Sequence, residues 1–122
     1  MNMKYGYLLR DLVKAKREIK NILIDIAKKG KDTIFYSELV RKVLIISIEA
    51  NSYALAAMLG KISTEEDAAG RGMLSVIVVR KENYRPGKGF YELAKTLGRD
   101  VSDKETFWVN EVKRVYSSWS KT

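Results

Sequence analysis

Arg80, Lys81, Arg85 and Lys88 crowd around Tyr84 and the dipeptide Pro86-Gly87, directly after the apolar run from Met73 to Val79. Cations and a phenol ring on one turn suit contact with phosphate, the ring stacking on a base or lying along a groove. Backbone N–H groups around Gly87 and Gly89, just before a helix start, offer a place for one anion. The plainer alternative is the solvated tip of a well-anchored hairpin, with glycine chosen only for its φ. Asn51, Ser52 and Tyr53 form a second candidate group, at the front of the alanine-rich stretch Ala54-Leu55-Ala56-Ala57-Met58. That stretch carries almost none of the Arg, Lys, Asn or Gln that read base edges, so any duplex contact is expected to rest on phosphate and shape. Alanines there also suit close helix packing. Arg10, Lys14 and Arg17 are the third group, on the polar side of an amphipathic segment.

The chain has no cysteine, histidine or glutamine. Thiolate nucleophiles, imidazole bases, disulfides and Cys/His metal or cluster sites are therefore excluded. No nucleophile, base and orienting group can be assembled from what remains, so a non-enzymatic role without cofactor or metal is expected. Glu65-Glu66-Asp67 is the one acidic cluster, explained by the first turn of a helix, where acids complement the macrodipole. Gly70-Arg71-Gly72 and Gly87-Lys88-Gly89 are too short for a nucleotide-binding glycine loop.

Net charge is +8, and it is unevenly placed: residues 1–31 hold nine Lys/Arg against three acids, the rest fourteen against twelve. That balance fits a polyanionic partner. Abundant lysine and the missing Cys and Gln also fit a heat-adapted source, where a lysine-rich surface is background.

These residues need a scaffold. Apolar content of 46% against 31% charged residues is that of a globular chain. No apolar run approaches the ~20 residues of a membrane span, and no signal peptide is visible, so a cytoplasmic location is expected. One domain, 1–122, is read without a boundary, as a basic amphipathic helix over 1–31 and a core over 33–119. Leu8, Leu12, Ala15, Ile19, Ile22 and Ile26 make a seam that predicts a helix over 7–29, ended by Gly30. Asp11, Glu18 and Asp25 recur beside it every seven residues, as in a helix zipped to a partner; packing on its own domain is the preferred reading. A short strand over 33–36 and helices over 37–46 and 53–59 follow, the last stopped at Gly60.

Ser63 with Glu66, and Ser102 with Glu105, read as capping boxes. The first opens a short turn ending near Gly70, the second a helix over 103–119 with a stripe of Trp108, Val112, Val115 and Trp119. Residues 73–80 read as a strand buried on both faces, then a turn with positive φ at Gly87, and a helix over 90–97 closed by Gly98. An eight-residue strand with so little other strand to pair with points to a sheet completed by a second copy, hence a homodimer or higher homo-oligomer.

Strand, helix, helix, strand and basic turn is the order of a winged helix-turn-helix. Ile34-Phe35-Tyr36-Ser37-Glu38-Leu39-Val40 resembles the opening of the DNA-binding domain of alkylguanine-DNA alkyltransferases and alkyltransferase-like proteins. Their Pro-Cys-His-Arg active site is replaced here by residues 72–78, without the reactive cysteine, so alkyl transfer is not implied. The stretch from Met73 to Phe90, with its Pro-Gly-x-Gly-Phe turn, and the aromatic tail from Phe107 to Trp119 are similar to small prokaryotic proteins or domains attached to nuclease-type proteins. That resemblance covers about residues 33–119 and implies a winged-helix core and a possible nuclease partner. The expectation is an α+β, mostly helical domain of winged helix-turn-helix type with a long amphipathic N-terminal helix, binding nucleic acid, in the first place duplex DNA. The alternative is an oligomeric assembly protein with no nucleic-acid role.

Overall fold

In the computed structural model, which describes residues 2–120, the chain begins with a small hairpin rather than a helix. Met3–Lys4 (β1) pairs antiparallel with Tyr7–Leu8 (β2) across Tyr5-Gly6. Both turn residues have positive φ, 53° and 84°, the geometry of a type I′ turn. The polypeptide then enters α1, Leu9–Lys29, which ends on Gly30 in the left-handed region (φ 67°).

The buried line of α1 is Leu12, Ala15, Ile19, Leu23 and Ala27. The first three follow the expected seam; beyond them it passes to Leu23 and Ala27, leaving Ile22 and Ile26 half-buried. A straight helix with 3.6 residues per turn drifts past a seven-residue repeat in just this way. The helix lies on its own domain, against the third and fifth helices and the segment that crosses the core. Glu18, expected to flank a zipper seam, instead accepts the N–H groups of Leu44 (2.9 Å) and Ile45 (3.3 Å).

Ile34–Phe35 (β3) leads into α2, Tyr36–Lys42, shorter than the expected 37–46. Next comes α3, Tyr53–Ala68, one continuous helix where two pieces were expected. It passes through Gly60, where an added Cβ would touch the Leu93 side chain at 3.7 Å. Ser63 is consequently not a cap. Its hydroxyl lies 2.6 Å from that of Ser75 in the buried interior and accepts the Ser75 N–H at 3.0 Å.

The expected long strand is largely a 3₁₀ turn, Leu74–Ile77, followed by the two-residue β4, Val78–Val79. β4 pairs parallel with β3, Ile34 opposite Val78 and Phe35 opposite Val79. Residues 73–79 are all buried, and α1, α3 and the last helix all pack on the 3₁₀ turn. Each fully buried Leu, Ile or Met there contributes roughly 1.5–3 kcal/mol through its removal from water. With no long unpaired edge at this segment, the reason given for a second copy does not hold here.

α4, Lys88–Thr96, and α5, Lys104–Trp119, complete an α+β, mostly helical domain. Asp103, not Ser102, caps α5 by accepting the Thr106 N–H at 3.0 Å. The buried face of α5 is Phe107, Glu111 and Val115, with Trp108, Val112 and Trp119 half-buried beside it. Among the described residues no helix is long and apolar enough to cross a membrane.

Candidate functional site

Residues 80–87 form a loop that closes on itself rather than a hairpin. The Arg80 N–H donates to the Arg85 carbonyl and the Tyr84 N–H to the Arg80 carbonyl, both at 2.9 Å. The left-handed residue is Tyr84 (φ 55°), whereas Gly87 has φ −69° and caps α4 in extended backbone. A turn expected at Pro86-Gly87 is thus made three residues earlier. The Tyr84 ring stands edge-on to Phe35 at 5.2 Å.

Arg85 faces inward along the loop. It binds Glu105 with both arms of its fork, donates to the Tyr84 carbonyl (2.9 Å) and lies 3.9 Å over the Trp108 ring. Trp108 in turn donates to the Val76 carbonyl at 3.1 Å, fixing the stack to the core segment. The bonds that Arg85 donates hold the Glu105 carboxyl below the usual carboxylate range and raise the Arg85 guanidinium. Arg80 and Lys88 have looser acid neighbours, Glu82 at 3.4 Å and Glu92 at 3.7 Å, in pairs open to solvent. Such pairs contribute little and exchange readily for another anion. Lys81 has no acid partner among the described residues and sits 5.8 Å from the Phe35 ring.

Beside this loop lies a groove of about 760 Å³, bounded by the start of α2, the first half of α3, the end of β4 and the start of α4. Phe35, Leu55, Leu59, Val79, Phe90 and Leu93 give it apolar walls; Asn51, Ser52, Arg80, Lys81 and Glu82 add polar groups. Three helix starts face it. α2 opens with the Glu38 carboxylate accepting the Phe35 N–H (3.2 Å), and α3 with the Ser52 hydroxyl accepting the Leu55 N–H (3.2 Å). α4 has no side-chain cap. Its Gly87 N–H donates to the Tyr36 hydroxyl at 3.0 Å, and a Cβ on Gly89 would meet nothing within 4 Å. Burial pushes the Tyr36 phenol up, although that hydrogen bond and the Arg80 charge act the other way. The Ser37 hydroxyl oxygen, also in the groove lining, exposes under 1 Å² and has no hydrogen-bond partner among the described residues.

Of the residues singled out from sequence, Asn51, Ser52, Arg80 and Lys81 meet around this groove. Tyr84 borders it through Phe35, Tyr53 projects into solvent outside its lining, and Arg85 and Lys88 have acids of their own. Arg10, Lys14 and Arg17 are exposed on α1, outside the groove lining, with no acid partner among the described residues. Sequence reasoning missed Tyr36, Ser37 and Phe90. Their one signal was that Tyr36-Ser37 and Gly87-x-Gly89 each begin a helix, and only the fold brings helix starts together.

The acidic trio proves to be at the C-terminal end of α3, where the macrodipole disfavours acids. Separate cations account for it: Lys16 binds Glu65 (2.7 Å), Arg71 and Lys20 bind Glu66 (2.7 and 3.4 Å), and Arg99 binds Asp67 (2.9 Å). Among the described residues no three carboxylates converge as a metal site would need. No family model, curated protein or solved structure matches this chain.

Proposed function

We propose that the protein is a non-enzymatic nucleic-acid-binding protein that holds duplex DNA by backbone and shape, with little base specificity. The observation that carries this reading is how the cations are used. Arg71, Arg85 and Arg99 are folded onto Glu66, Glu105 and Glu111, whereas Arg10, Lys14 and Arg17 on α1 and Lys81 at the groove face water without an acid partner among the described residues. Unpaired surface cations release condensed counterions when they meet phosphates, the dominant source of such affinity. In this reading α2 and α3 stand for the helix-turn-helix and the loop 80–87 for the wing, with Arg80, Lys81 and Tyr84 touching the backbone. Asn51, Ser52 and Tyr53 approach from the start of α3, and Arg85 holds the wing in place rather than contacting DNA.

Fluorescence anisotropy on a labelled duplex of arbitrary sequence, titrated with salt, tests it. The combined variant R10A/K14A/R17A should flatten the slope of log K against log salt by about 3, near 0.9 per lost phosphate contact. An unchanged slope removes α1 from the interface, and no binding at low salt ends the reading.

A second reading, assembly with further copies or a partner protein, is favoured by apolar side chains in solvent: Val13 is 59% and Leu44 83% exposed. Deleting α1 would not discriminate, because it takes Ile19 and Leu23 out of the core. The surface variant V13E/L44E does. Loss of an oligomer by light scattering, with no duplex binding by the unaltered protein, would select assembly.

A further inference from the structure

We infer that the groove is a binding site for a nucleotide: a phosphate monoester at the start of α4, with its flat heteroaromatic ring between the apolar walls. The inference builds on the nucleic-acid reading above in taking a strand as one source of the ligand.

A groove of about 760 Å³ is within the range of small-molecule sites, roughly 300–1,000 Å³. Its phosphate end is set by several independent features. α4 is nine residues long, lacks a side-chain cap, and keeps the N–H groups of Lys88 and Gly89 without a partner among the described residues. Orphan N–H groups and the positive end of the helix dipole favour an anion there. Open space at the Cα of Gly89 lets that anion approach the backbone closely. Arg80 stands next to this start, its Cδ 4.0 Å from where a Gly87 Cβ would be, and Lys81 follows it along the lining.

The other end of the ligand is specified by what the walls lack. Phe35, Leu55, Leu59, Phe90 and Leu93 would accept any apolar body. An acyl chain, however, would leave the Asn51 amide in the groove lining unused. A nucleobase offers a flat face to the walls and edge donors and acceptors to the exposed Asn51 side chain. Glu82 opposes an incoming phosphate and competes for Arg80; as half of an exposed pair it is displaced at little cost.

Calorimetry and backbone NMR on the full-length protein test this, with adenosine monophosphate, cytidine monophosphate, adenosine and inorganic phosphate as separate probes. At least one monophosphate should bind ten-fold or more tighter than adenosine or phosphate, shifting the resonances of Ser37, Gly87 and Gly89. R80A/K81A should weaken it at least ten-fold, and E82Q should tighten it several-fold. Ala56 is exposed on α3 and lines the groove, so A56W fills the space without touching the core and should abolish binding, its fold checked by circular dichroism. Short single strands with a 5′-phosphate or a 5′-hydroxyl separate the sources: a preference for the phosphate marks a strand end, and equal binding marks a free nucleotide. Monophosphate binding no tighter than adenosine or phosphate, or retained by A56W, overturns the site. Duplex binding lost in R10A/K14A/R17A, with no monophosphate binding by the unaltered protein, rejects the groove and leaves the nucleic-acid reading standing. Monophosphate binding with no strand binding at low salt does the reverse.

Discussion

Arg99 closes its guanidinium fork on the carboxylate of Glu111, which is 1% exposed in the middle of the buried face of α5. Glu111 also accepts the buried Met73 N–H at 2.7 Å, and Arg99 reaches Asp67 on α3 at 2.9 Å. One carboxylate thus ties α5 to the start of the core segment, and one guanidinium ties it to α3. Removing a partner of a buried pair is expensive because the other charge is left without compensation, typically 3–5 kcal/mol. E111A should therefore lower the urea unfolding free energy by about that much, and E111Q by less, since its amide oxygen still accepts from Met73. A loss under about 1 kcal/mol for E111A would mean that water replaces the network and that α5 is held by its apolar residues.

Acid should weaken the same region through Glu66. Burial alone would raise its carboxyl, but the hydrogen bonds from Arg71 and the charge of Lys20 outweigh that and place it below the usual glutamate range. Its contribution to stability is therefore complete above the unfolded-chain value of about 4.3 and is lost as pH falls through the lower folded value. Glu65 shifts in the same direction through the hydrogen bond from Lys16. The urea midpoint should stay nearly flat from pH 7 to 5 and decline in more acidic solution. E66Q should be less stable at pH 7 and show a shallower acid decline; an acid limb unchanged by E66Q would assign it to other carboxylates.

The helices were legible where apolar spacing and end signals agreed. Leu12, Ala15 and Ile19 with Gly30 bound α1 almost correctly, and Gly98 closes the short helix before it. Polar residues on buried faces were misread, because burial is decided by distant partners. Ser63 looked like a cap and is paired with Ser75, and Glu111, outside the expected stripe of Trp108, Val112, Val115 and Trp119, is the centre of the buried face of α5. Glu111 carried a signal nonetheless, four residues from both Phe107 and Val115. The run from Met73 to Val79 shows the limit of composition: a fully buried strand and a buried 3₁₀ turn need the same apolar side chains. Gly70-Arg71-Gly72, dismissed as a ligand loop, has a packing role. Gly72 has φ +90°, and an added Cβ would lie 3.1 Å from Val115.

At the candidate site, residue types were legible and directions were not. Sequence placed four cations on one turn, but which of them face solvent depends on Glu105 and Trp108 of α5, twenty or more positions away. This separates two kinds of variant. R85A removes the stack on Trp108, worth roughly 0.5–1 kcal/mol at an exposed site, and loosens the loop from α5. R85K should not restore it, because a lysine can neither fork onto Glu105 nor stack in the same way. Thermal melts should accordingly drop for both variants, while R80A/K81A melts close to the unaltered protein. In the anisotropy assay the order should invert, R80A/K81A losing more affinity than R85A. Equal losses would return Arg85 to the contact surface.

Tyr36 offers the sharpest local test, because its hydroxyl accepts the Gly87 N–H and so links the first residue of α2 to the cap of α4. Y36F keeps the ring in place and leaves the Gly87 N–H without its acceptor, a change of about 1 kcal/mol for a half-buried bond. Hydrogen exchange should accelerate at Gly87 well before it does at residues in the middle of α4. Alkaline pH gives an independent readout. With the folded phenol raised by burial, its contribution is complete below the unfolded value of about 10 and is lost as pH rises through the folded one. Y36F should flatten that alkaline limb. Tyr91 and Tyr116 are raised as well, again first by burial, so some decline must persist in the variant. If exchange at Gly87 stays slow and the alkaline limb is unaltered, the start of α4 is positioned by Phe90 and Pro86 packing, and the tyrosine hydroxyl is incidental to it.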